Sequence, residues 1–235
     1  MVDNSTSGDR RVRVPDHAVT ASGLIRSVGE RWGDRVLVIL GAERVTYREI
    51  EYRSAELAKA LLGQGVTAGT RMGLLAPNGP DWVVAWLAMT RIGAVATLLS
   101  TYARPPEMSW ALDHAGVEVL FSASHYLDRN YPEELETAVP ELATQRLREI
   151  QLKSHPDLSL IYLWDDADRQ WAGTVEDLVE DMGETSDTDL VHAEATVTPA
   201  SPMVVMYTSG STAEPKGVIH SHGAVVQHPY NLLPF

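Results

Sequence analysis

From about residue 20 onward the sequence predicts an α/β fold, a mixed, mostly parallel sheet covered by helices. Three observations point there. Segments with apolar residues at helical spacing alternate with short apolar runs of strand length, the pattern of successive βαβ units. The helices are announced by caps or prolines. They are closed by glycines, notably Gly63, Gly65, Gly93 and Gly116. Strands that read as continuous apolar runs are those buried on both faces, which requires a layer of helices on each side.

Taken in order, Leu24, Ile25, Val28 and Trp32 recur at helical spacing, and residues 36–40 form a short strand. Thr46-Tyr47-Arg48-Glu49 is a capping box, in which a threonine hydroxyl and a glutamate three positions later satisfy each other's backbone N–H. It opens a helix whose apolar face is Ile50, Leu57, Ala58 and Leu61. Residues 71–76 predict a strand, Pro80 starts a helix through about Arg91, and 94–99 is the next strand. The stretch 82–99 is the most apolar of the chain, but Arg91 and Gly93 interrupt it, so it reads as a buried helix and a strand and not as a membrane span. Pro105-Pro106 begins a helix that ends at Gly116, followed by a strand over 117–121. Residues 132–150 predict a long amphipathic helix, 158–164 a strand and 174–182 a short helix. Residues 184–199 lack periodicity and read as a surface connector. The expected organisation is a flexible lead-in over 1–19, an α/β subdomain over 20–200, and the start of a second sheet over 201–235.

Composition narrows the function classes. The 235 residues are 44% hydrophobic and 22% charged, enough to bury a substantial core. The net charge is −13, and residues 151–200 hold twelve Asp or Glu against Lys153 and Arg169. Such a balance opposes nonspecific binding to nucleic acid and docking on anionic membrane, and the acidic stretch reads as a solvated face. The absence of cysteine excludes disulfides, thiolate metal sites and a cysteine nucleophile, and fits a cytoplasmic protein. Residues 1–15 have no apolar centre of the kind a signal peptide needs.

The chemistry-bearing segment is Tyr207-Thr208-Ser209-Gly210-Ser211-Thr212-Ala213-Glu214-Pro215-Lys216-Gly217-Val218. Consecutive backbone N–H groups around Ser209, Gly210 and Ser211 can form a concave anion nest. Thr208, Ser209, Ser211 and Thr212 add hydroxyls for phosphate oxygens or a magnesium ion. Lys216 adds a compact positive charge. Apolar runs on both sides (203–206 and Val218-Ile219) read as strands that would suspend the loop from a sheet. The spacing is not that of a Walker loop, because Pro215 precedes Lys216 and a strand-like run follows where a helix would open. Two other clusters read as structural. Asp165-Asp166-Ala167-Asp168 lacks the spacing of a calcium loop and suggests an acidic turn. Of His220, His222 and His228, the first two would share a face only in a strand, whereas Ser221 looks like a helix N-cap.

The loop resembles the phosphate loop of the acyl-adenylate-forming superfamily, whose members include acyl- and aryl-CoA ligases and the adenylation domains of peptide synthetases. The match runs through Tyr207, Thr208, Ser209, Gly210, Ser211, Thr212, Pro215, Lys216, Gly217, Val218, Ser221 and His222. Ala213 departs from the family's usual glycine. At positive φ it would cost roughly 1 kcal/mol. The segments Thr46-Tyr47-Arg48-Glu49-Ile50, 78–82, 93–95 and 106–121 are similar to the superfamily's opening subdomain. The resemblance implies an ATP-dependent carboxylic acid–CoA ligase, with fatty acids the favoured substrate class. ATP, Mg2+ and coenzyme A would be its cofactors and co-substrates. It implies that Thr208 positions the magnesium, that Ser209, Gly210, Ser211 and Thr212 contact phosphate oxygens, and that Lys216 and Gly217 support the loop. His222 would pack beneath it. The chain ends before the family's later motifs, so the resemblance also implies an incomplete N-terminal domain that is inactive by itself, with apolar surface left open to self-association. The alternatives are an amino-acid adenylation domain fragment and a noncatalytic nucleotide-binding or interaction module.

Overall fold

The computed structural model describes residues 15–165, 167–208 and 216–232. In chain order the elements are α1 (Ala21–Trp32), β1 (Val36–Leu40), β2 (Glu43–Thr46), α2 (Tyr47–Gly63), β3 (Arg71–Leu75), α3 (Pro80–Arg91) and β4 (Val95–Leu98). Then come α4 (Pro105–His114), β5 (Val119–Ala123), β6 (His125–Tyr126), β7 (Arg129–Asn130) and α5 (Tyr131–Ala138). The last part holds β8 (Leu160–Trp164), β9 (Gly173–Thr174), α6 (Val175–Glu180), α7 (Asp187–Thr196), β10 (Pro202–Thr208), β11 (Lys216–Ser221) and α8 (His222–Leu232).

Local signals place the helices. Thr46 Oγ1 accepts from the Glu49 N–H at 3.3 Å while Glu49 Oε2 accepts from the Thr46 N–H at 2.7 Å, the capping box that starts α2. Pro80 and Pro105 occupy the first turns of α3 and α4, where a missing N–H leaves no bond unmade. Ile50, Leu57 and Leu61 of α2 and Ala85, Ala88 and Met89 of α3 are fully or almost fully buried. They join Met72, Leu74, Leu120, Phe121, Ile161 and Leu163 from the strands in one core.

The main sheet has seven strands in the order β11-β10-β4-β3-β5-β8-β9. Every neighbouring pair is parallel except β10 with β11. It is therefore the mixed, mostly parallel, helix-flanked sheet that the sequence predicts. Three details differ. Among the described residues, 201–235 open no second sheet, because β10 lies parallel beside β4, with Val204 opposite Ala96 and Met206 opposite Leu98. The long helix expected over 132–150 stops at Ala138. Pro140 forces Val139 out of helical geometry (φ −136°, ψ 80°), and only a 3-10 turn, Pro140–Thr144, follows. The connector expected over 184–199 contains α7, capped by a reciprocal Ser186–Asp189 pair.

Residues 1–14 of the expected lead-in lie outside the described residues. Pro15 is buried, and the His17 ring shares a 2.8 Å hydrogen bond with the Tyr230 hydroxyl of α8. Among the described residues no helix is long and apolar enough to cross a membrane.

Candidate functional site

Strands β3, β4 and β10 run parallel, so their carboxyl ends share one edge of the sheet. Open α/β sheets bind ligands in the crevice outside that edge. The hairpin β10–β11 reaches it with Thr208 opposite Lys216 and Tyr207 opposite Gly217. Thr208 and Lys216 are both exposed. Of the predicted site residues, the structure thus brings Thr208, Lys216 and Gly217 together at the end of one hairpin. Ser209, Gly210, Ser211 and Thr212 lie outside the described residues, as does Ala213.

Gly217 has a steric reason for being glycine. A Cβ there would come within 3.1 Å of Tyr207 Cε1, so the tyrosine ring lies across the glycine backbone. On its other sides Tyr207 meets α4. Its hydroxyl and His114 Nδ1 share a 2.9 Å hydrogen bond, and its ring stands edge-on to Trp110 with centroids 5.2 Å apart. Desolvation by this packing raises the Tyr207 pKa, so the phenol stays protonated. No local pattern could announce these partners, which lie more than ninety residues upstream.

The loop after β4 occupies the same edge. Tyr131 Oη donates to the Thr101 carbonyl at 2.9 Å, and Arg129 donates to the carbonyls of Thr101 and Ala103. These bonds fix the segment leading into α4.

The three histidines of the hairpin region do different things. Ser221 caps α8, its hydroxyl accepting from the Ala224 N–H at 3.3 Å. His222 is fully buried, and its Nδ1 accepts from the Ala21 N–H at 3.2 Å. Burial pushes its pKa down to about 4, which keeps the ring neutral. It therefore joins the start of α8 to the start of α1. His220 lies in β11 and His228 in α8. Among the described residues no group of three or more His, Asp or Glu is arranged to hold a metal. Thr208 offers one exposed hydroxyl. That donor set fits a magnesium ion that arrives with a nucleotide, since Mg2+ keeps several waters and is commonly held through substrate phosphates. A separate cleft of about 550 Å³, between α2 and α6, includes Tyr52, Leu57, Trp164 and Val179 and no residue of the hairpin.

A family model described as AMP-binding enzyme matches residues 25–233. The chain is 29% identical over 213 residues to an acetyl-coenzyme A synthetase of Nostoc linckia, an alignment that covers 87% of this chain and 60% of that protein. It is 24% identical over 220 residues to the mitochondrial medium-chain acyl-CoA ligase ACSF2 of Danio rerio, covering 92% of this chain and 36% of that protein. Its fold is similar to the crystal structure of the anthranilate CoA ligase AuaEII in complex with anthranoyl-AMP, with a TM-score of 0.69 at 18% identity. That likeness covers 89% of this chain and 36% of the ligase. The chain thus spans less than two thirds of the length of each of these proteins. The family match extends over the sheet, its helices and the hairpin at the carboxyl edge, and on that ground the chain belongs to the AMP-binding enzymes, as an N-terminal portion of the adenylate-forming superfamily.

Proposed function

We propose that this chain forms the polyphosphate-binding part of an ATP-dependent acid–CoA ligase that activates its substrate as an acyl-adenylate. The observation that supports it most is the hairpin, which pairs Thr208 with Lys216 across β10 and β11 at the carboxyl edge of a parallel sheet. In the proposed reaction a carboxylate oxygen attacks the α-phosphorus of ATP, forming the acyl–phosphate bond as the bond to pyrophosphate breaks. Attacker and target are both anionic, so the barrier is largely electrostatic. Lys216 lowers it by placing positive charge on the β- and γ-phosphates. Ser209, Gly210, Ser211 and Thr212 contribute amide and hydroxyl donors along the same chain of oxygens. The Thr208 hydroxyl would help hold the magnesium ion that accompanies the nucleotide, and the ion would supply positive charge against the triphosphate. Coenzyme A then takes the acyl group and AMP leaves. Fatty acids are the proposed substrate class, a reading that the likeness to a medium-chain ligase supports.

Isothermal titration of the chain with Mg·ATP tests this. Lys216→Ala is expected to weaken binding by at least about tenfold, the scale of a lost charge-assisted hydrogen bond. Thr208→Ala is expected to weaken it only when magnesium is present. Equal affinity in the wild type and both variants would refute the assignment.

A further inference from the structure

Among the described residues, few backbone pairings hold the end of this hairpin at Tyr207–Thr208 and Lys216–Gly217. Parallel pairing of β10 with β4 covers Val204, Val205 and Met206 and then ends. Tyr207 and Thr208 pair only with Gly217 and Lys216, and β11 is the outermost strand of the sheet. Backbone bonds alone therefore leave the last two residues of β10 attached to a strand that is itself unsupported on its other side.

We propose that Tyr207, His114 and Trp110 form an anchor that fixes the end of β10 to α4, with His114 and Trp110 acting as positioning residues for the polyphosphate site. The three rings form a closed triangle. Trp110 and His114 stack at 4.5 Å with an interplanar angle of 21°, and Tyr207 stands edge-on to both, at 5.2 and 5.7 Å. The 2.9 Å bond from the Tyr207 hydroxyl to His114 Nδ1 sets the depth of the ring. Gly217 fits the ring closely, because a Cβ there would stand 3.1 Å from Tyr207 Cε1 and require the ring to give by a few tenths of an ångström. The anchor acts on the two positions immediately next to Thr208 and Lys216, so it sets where hydroxyl and ammonium stand relative to the sheet edge. Trp110 is half-buried and His114 exposed, and both rings pack on Tyr207, so each is assigned a role that works through Tyr207 and not through contact with substrate. The purpose assigned to the anchor rests on the nucleotide reading above, whereas its existence does not.

Lysyl endopeptidase separates the two. Lys59, Lys153 and Lys216 are the lysines of the chain, with Lys59 buried in α2 and Lys153 exposed in the loop before β8. Tyr207→Phe and His114→Ala are expected to accelerate cleavage after Lys216 by about threefold to tenfold relative to cleavage after Lys153, the range set by one lost hydrogen bond. The Mg·ATP dissociation constant should rise by a similar factor, with the melting temperature little changed. Trp110→Leu should act in the same direction. His114→Asn, which keeps a polar atom where Nδ1 stands, should restore most of the wild-type cleavage rate. Unchanged cleavage after Lys216 in Tyr207→Phe and His114→Ala would overturn the anchor. Faster cleavage in variants of a chain that binds no Mg·ATP would uphold the anchor and overturn the nucleotide reading.

Discussion

Arg91 sits at 0% side-chain exposure near the end of a largely apolar helix, and the groups around it explain how the chain tolerates that. Its Nε donates to Glu194 Oε1 at 2.5 Å, one Nη to Ser54 Oγ at 2.9 Å and the other to Glu51 Oε1 at 3.1 Å. Arg26 closes the network from α1, donating to Glu194 Oε2 at 2.8 Å. From sequence Arg91 served only to argue against a membrane span, because its partners are forty and 103 residues away and no local period joins them. Removing one member of a buried pair strands the other. Glu194→Ala is thus expected to destabilise the fold by about 3 kcal/mol in urea unfolding. A loss near zero would mean that Glu51 alone satisfies the guanidinium. His222 gives a pH prediction. Its folded pKa of about 4 lies below the ordinary value of 6.5, so the unfolded chain binds the extra proton between those two pH values. Stability from this residue is complete above about pH 6.5 and declines as pH falls toward 4, by about 3 kcal/mol in all. His222→Asn keeps an acceptor for the Ala21 N–H and cannot titrate. The difference in stability between wild type and variant should shrink through that window. A constant difference would contradict the assignment.

At the scale of elements, the legible parts are those whose signals are local. The Thr46–Glu49 box and the prolines at 80 and 105 announced α2, α3 and α4, and all three helices begin where those residues stand. Thr46→Ala should lower stability by about 1 kcal/mol, read from the urea midpoint, through loss of the hydroxyl cap. An unchanged midpoint would show that tertiary packing alone sets the helix start. α7 was illegible for an equally physical reason. Its buried residues are Leu190 and Glu194, so a charged side chain occupies the position where periodicity calls for an apolar one. That charge is buried because Arg91 and Arg26 receive it, a fact that no window of the helix contains. α5 erred in the opposite direction: apolar spacing continued past Pro140 while the backbone could not. In the candidate site, the residue types and order of the loop were readable as phosphate chemistry. The α4 partners of Tyr207 were not, since an exposed histidine and a half-buried tryptophan fit any helix surface.

For the whole molecule, strand order is what local reading could not supply. β10 returns to lie beside β4 more than a hundred residues after it, a pairing that no local window of the sequence contains. That return makes β11 the outer strand, with Val218 40% and Ile219 66% exposed and Met206 of β10 46% exposed. An outer strand with apolar side chains is a template for a second strand. Sedimentation velocity is therefore expected to show concentration-dependent self-association that Ile219→Lys reduces. A monomer at every concentration, unaffected by the substitution, would contradict it. The same return places Thr208 and Lys216 at the carboxyl edge that β3, β4 and β10 share. The most direct test is a titration of the isotopically labelled chain with Mg·ATP, followed by backbone amide chemical shifts. The account predicts that the largest shifts cluster from Thr208 to Gly217. Shifts confined to the cleft between α2 and α6, or none at saturating nucleotide, would contradict it.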